Sequence, residues 1–101
     1  IPIPHFRALG GRARMRILKR TPMLRKLKRA LGEIGATLEK DGPGVYQCVA
    51  PSGMYWWESN GPHLRVEWLD AVGHVEPSMR DAAIQDALDR ITSGVYREDQ
   101  A

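Results

Sequence analysis

The sequence predicts an α+β fold of order α-β-β-β-α: a three-stranded antiparallel sheet with two helices packed on one face. Three observations carry that expectation. Leu24, Leu27, Leu31, Ile34 and Leu38 recur at three- and four-residue steps, the spacing of one apolar stripe on a helix. Leu64, Val66 and Trp68 alternate with Arg65 and Glu67, the two-residue period of a strand with one face buried. Ile84, Ala87, Leu88 and Ile91 then return to the helical period.

Each element has a start and a stop. Thr21-Pro22 opens the first helix, with a hydroxyl N-cap and proline at the first helical position. The stripe predicts about five turns, ended by Lys40-Asp41-Gly42-Pro43-Gly44. Gly32 and Gly35 each weaken that helix by roughly 1 kcal/mol relative to Ala. Strands are expected over residues 45–50, 54–59 and 64–69, joined at Pro51-Ser52-Gly53 and Asn60-Gly61-Pro62. Two tight connections in succession predict a meander. Residues 70–77 read as a loop. Ser78 then caps the second helix, with Asp81 three residues on. Asp86 and Arg90 form an i,i+4 pair there, and Gly94 stops the helix.

The chain of 101 residues is long enough for one modest core. The domain is expected over residues 21–96, with a frayed polar tail over 97–101. Residues 1–20 form a basic arm, in which Ile1-Pro2-Ile3-Pro4 forces extended backbone and Gly10-Gly11 breaks any helix begun after it. Met15 offers an alternative start, which would make residues 1–14 an extension that is not native. The single cysteine, Cys48, excludes an internal disulfide and fits a reducing compartment. No apolar run is long enough to span a bilayer, and the N-terminal cations precede no apolar signal segment. A cytoplasmic chain without membrane contact is expected.

Charge is the strongest functional signal. Residues 1–32 hold ten cations and no acid, whereas residues 33–101 hold five cations and all twelve acids. The halves therefore carry +10 and −7 within a net charge of +3, a polarity that points to a polyanionic or acidic partner. Arg25, Lys26, Lys28 and Arg29 fall in the first two turns of the expected helix, where the backbone dipole disfavours cations. A chain shaped only for folding would place acids there. Arg12, Arg14, Arg16, Lys19 and Arg20 in the arm extend the same cluster toward phosphates. The plainer alternative is a solvated face whose long stems cover apolar neighbours.

Tyr55-Trp56-Trp57 is the second signal. Adjacent strand residues face opposite sides, so one tryptophan packs inward and the other, with Tyr55 on Trp57's side, lies on the far sheet face. Beside Arg65 such aromatics could stack on bases or anchor a protein partner. Glu58 and Glu67 would repel a phosphate backbone, which favours protein. Catalysis and metal binding find no pattern: His5, His63, His74 and Cys48 lack ligand spacing, and Ser52 and Ser59 have no adjoining base. No catalytic residue, metal or cofactor is assigned. The acidic second helix (Asp81, Asp86, Asp89) could meet another copy's basic helix.

The element order, with Gly61-Pro62-His63 before a strand and Asp81-Ala82-Ala83 opening the last helix, is superficially similar to a double-stranded RNA-binding domain. It departs from that family where the second helix should carry a lysine run and instead reads Ser78-Met79-Arg80-Asp81-Ala82-Ala83, so no functional residue carries over. In its Arg- and Ala-rich style, and in the stretch from Ser59 to Trp68, the chain resembles small accessory proteins of actinobacterial phages. That resemblance implies host-directed binding. The expected function is a non-enzymatic module that contacts nucleic-acid phosphates through the arm and first helix. The alternative is a protein-interaction module binding an acidic host protein, or a second copy, through Tyr55, Trp57 and Arg65.

Overall fold

The computed structural model describes residues 22–100. Along them run α1 (Pro22–Gly32), β1 (Thr37–Gly42), β2 (Val45–Val49), β3 (Met54–Trp56) and β4 (His63–Glu67). A 3₁₀ turn (Pro77–Met79), α2 (Arg80–Ile91), β5 (Val95–Arg97) and a second 3₁₀ turn (Glu98–Gln100) complete the chain. The class is α+β. Its main sheet is three-stranded and antiparallel in the order β1-β2-β4, and β3 pairs with β5 in a separate two-stranded ribbon.

The strands that make the main sheet differ from the expected meander in two ways, each with a local cause. First, α1 stops at Gly32 instead of running to Leu38. The amides of Ile34 and Ala36 both donate to the Leu31 carbonyl, at 3.1 and 2.9 Å, and Gly35 takes φ +78°, the left-handed stop that glycine supplies. Ile34 is left 38 % exposed, and Leu38 enters β1 opposite Cys48. The Lys40-to-Gly44 segment expected to end the helix forms the β1–β2 hairpin, with a register shift between Lys40 and Gly42. Gly44 at its tip has no substitute: at φ +69° a Cβ would sit 3.2 Å from Leu69 and 3.3 Å from Val75.

Second, β3 ends at Trp56 because the chain turns at once. The Asn60 amide donates to the Trp56 carbonyl at 2.7 Å, and Asn60 adopts φ +54°, which Asn tolerates better than most residues. β4 therefore pairs directly with β2, from Val45 opposite Glu67 to Val49 opposite His63. β3 pairs instead with β5, from Met54 opposite Arg97 to Trp56 opposite Val95. Gly94, at φ +80°, turns the chain back after α2 and lets Val95-Tyr96-Arg97 make that pairing. The start of α2 also differs: Ser78 lies in the 3₁₀ turn, its hydroxyl donates to the Glu76 carboxylate at 3.0 Å, and no side chain caps the helix.

One core holds these pieces together. Cys48, Leu64 and Val66 meet Leu27 and Leu31 of α1 and Ile84, Ala87 and Ile91 of α2. Trp56 is fully buried beneath them, and its indole N–H donates to the Cys48 carbonyl at 2.9 Å. The opposite face of the sheet carries Thr37, Glu39, Gln47, His63, Arg65 and Glu67 in register with Val45 and Val49. It is mostly polar, as a solvated face should be, with Val45 buried at one end.

Candidate functional site

The buried stripe of α1 decides what its other side presents. Leu27 and Leu31 have no exposed surface, and Met23, Leu24 and Ala30 pack partly against the core. Arg25, Lys26, Lys28 and Arg29 are all exposed. At 3.6 residues per turn they share an arc of about 160°, one continuous cationic face. No acid lies in the first turn of α1. Among the described residues none of the four makes an ion pair. Arg65, Arg80 and Arg90 behave differently. Arg65 meets Glu67 at 3.3 Å, Arg80 meets Asp81 at 3.1 Å, and Arg90 meets Glu58 at 3.3 Å and Asp86 at 3.9 Å.

Arg25 and Arg29, one turn apart, offer guanidinium forks to a phosphate, and Lys26 and Lys28 flank them as point charges. Like charges at i,i+4 repel, and cations near a helix N-terminus oppose its dipole. The fold gains nothing evident from this face. Arg12, Arg14, Arg16, Lys19 and Arg20, expected to extend it, lie outside the described residues, as does the Thr21 cap.

The aromatic residues separate as expected into one buried and one exposed tryptophan, but not on the open face of the main sheet. Trp57 is 50 % exposed and stacks on Tyr96 of β5, with ring centroids 4.1 Å apart. Tyr55 meets Tyr96 edge-on at 5.8 Å, and the Tyr96 hydroxyl hydrogen-bonds Asn60. These rings belong to the β3–β5 ribbon, because β3 leaves the main sheet. Arg65 instead sits on β4 with Glu67. Tyr96, the platform of the cluster, went unread because only three residues separate Gly94 from Glu98, too few for a strand period to show.

Cys48 is fully buried. Burial pushes its thiol from the ordinary 9.0 up to about 11, opposed by the positive charge of Arg90. It is therefore held as the protonated, unreactive thiol near neutral pH. Asp70 organises the loop before α2: its carboxylate accepts the amides of Val72 and His74 at 2.9 and 2.8 Å, and His74 Nδ1 approaches it at 3.6 Å. Among the described residues no three His, Cys, Asp or Glu side chains are grouped to hold a metal. No described helix is long and apolar enough to cross a membrane. No protein-family model, curated protein sequence or solved structure matches the chain.

Proposed function

We propose that this chain is a non-enzymatic nucleic-acid-binding module that contacts phosphates through the exposed face of α1. Arg25, Lys26, Lys28 and Arg29 form the contact, and Arg12, Arg14, Arg16, Lys19 and Arg20 continue it along the chain. One observation supports this reading above the rest: four cations share a helix face, and no described acid pairs with them. Such a face attracts a polyanion without reading sequence. A reducing, cytoplasmic setting suits the single buried thiol.

The test is a fluorescence-anisotropy titration of labelled single- and double-stranded DNA and RNA across several salt concentrations. Binding in the range of about 10⁻⁴–10⁻⁶ M at physiological salt is expected. Arg25→Gln, Lys28→Gln and Arg29→Gln combined should weaken every sequence alike. On a B-DNA duplex, losing three phosphate contacts lowers the log–log salt slope by about 2 to 3. Unchanged affinity in the triple variant would overturn the reading.

A second reading rests on Trp57, a half-exposed ring braced by Tyr96. Braced aromatics at a surface are common anchors for protein partners. A host protein is the partner that the phage-accessory resemblance implies. Trp57→Ala should then abolish a protein complex while leaving nucleic-acid affinity unchanged.

A further inference from the structure

The main sheet ends at β4, and the hydrogen bonds flanking that strand fix which way its backbone points. The Trp68 amide donates to the Gly44 carbonyl at 3.0 Å, and the Ala50 amide donates to the Pro62 carbonyl at 2.8 Å. In the observed register these positions are directly opposite one another, so the even-numbered residues of β4 bond to β2. In an antiparallel ladder the alternate residues aim their N–H and C=O groups the other way. His63, Arg65 and Glu67 therefore point their main-chain groups at the open edge. At the upper end Gly61 O accepts the Trp56 amide and His63 O accepts the Ser59 hydroxyl. The His63 N–H and the N–H and C=O groups of Arg65 and Glu67 remain facing outward. Among the described residues no strand pairs with this edge.

Such an edge is a template for another strand. Beside it, between β4 and α2, lies a cleft of about 520 Å³ lined in part by Val66, Met79, Ala82 and Ala83. Met79 is 48 % exposed, and the two alanines leave room for a second helix to approach.

We infer that two copies of this chain pair edge to edge along β4, making one continuous six-stranded antiparallel sheet. The charge pattern of the edge selects the second copy as occupant and sets its register. A two-fold axis midway between the two copies of Val66 places Arg65 directly opposite Glu67 of the other copy, and Glu67 opposite Arg65. All four main-chain groups of Arg65 and Glu67 are then bonded. Each arginine also keeps its own Glu67 at 3.3 Å, so four charges alternate in a square. The neighbouring in-phase registers, centred on Arg65 or on Glu67, would oppose two arginines or two glutamates, which cross-strand neighbours disfavour. The axis stands normal to the sheet, so both α2 helices remain on one face with Met79 and Ala82 at the seam.

The test is sedimentation equilibrium of the full chain without nucleic acid, so its outcome is independent of phosphate binding by α1. Wild type should dimerise at or below about 100 μM. Arg65→Glu and Glu67→Arg alone should each weaken the dimer roughly tenfold or more, since each turns two facing attractions into repulsions. The double variant Arg65→Glu with Glu67→Arg should restore it. Cooperative thermal melts by circular dichroism, run well below the dimerising concentration so that association does not shift them, would show that all forms are folded. A wild-type chain that stays monomeric above that concentration overturns the inference, even if its β4 edge captures a foreign extended peptide. So does a dimer indifferent to both single reversals.

Discussion

The two helices share one core and treat their charge in opposite ways. α1 and α2 are of similar length, 11 and 12 residues, and each buries one stripe. α2 has Asp81 in its first turn and Arg90 in its last, the arrangement a helix dipole favours, and both of its arginines meet carboxylates. α1 has no acid in its first turn and four exposed cations without a described partner. The charge on α2 is used by the fold; that on α1 is left over. A helix that departs from what folding alone would choose is where a function should be sought.

Both helices are fixed to the core equally only if their buried stripes are equivalent. Leu27→Ala and Ile84→Ala remove fully buried side chains from α1 and α2. Each should cost about 2–5 kcal/mol in denaturant unfolding. A much smaller loss at Leu27 would mean that α1 is only loosely held, and that its cationic face lacks a fixed geometry.

The same division governs how much could be read from the residues alone. α2 and β4 were legible because their apolar periods agree with their turn residues: Ile84 to Ile91 before Gly94, and Leu64-Val66 alternating with Arg65-Glu67. The end of α1 was not, because Ile34 and Leu38 continue the helical period by coincidence after Gly32. β1 carries one apolar residue, Leu38, among polar ones, so it has no strand signal. The β3–β5 pairing joins short segments far apart in sequence, and no local pattern announces a partner that distant. The cations of α1 were visible as composition, but their lack of partners and the free edge of β4 are facts of three-dimensional pairing.

Cys48 lies between both helices and the sheet, so its thiol reports whether the shared core stays closed. With its ionisation pushed from 9.0 to about 11, the folded chain keeps a proton that the unfolded chain loses between those values. This contribution to stability is therefore full below pH 9 and falls as pH rises toward 11. Near pH 8 the two-unit shift alone leaves roughly a hundredfold less thiolate. Labelling by a thiol reagent should be slower than in denaturant by at least that factor. Native labelling at the free-cysteine rate would mean that the α1–α2 layer opens readily.

A smaller effect separates the charges themselves. Arg90 links α2 to Glu58 beyond β3 and to Asp86 one turn back, on a partly exposed surface. Arg90→Gln should cost about 0.5–1 kcal/mol and leave nucleic-acid affinity unaltered. A loss of affinity would extend the binding surface beyond α1.

The sharpest discrimination comes from the smallest change in stability. Arg25 occupies the first turn of α1, where an acid would complement the dipole and relieve repulsion from Arg29 one turn on. Arg25→Glu should therefore stabilise the fold by about 0.3–1 kcal/mol, read as a shift in denaturation midpoint at unchanged slope. The same substitution should weaken phosphate binding more than Arg25→Gln does, because it adds a repulsion to the lost contact. Stability and affinity moving in opposite directions at one residue is what a functional cation predicts, since the fold then carries an unfavourable charge that only the partner uses. If Arg25→Glu instead destabilises the chain, the cations of α1 serve folding, and the contrast between the two helices loses its meaning.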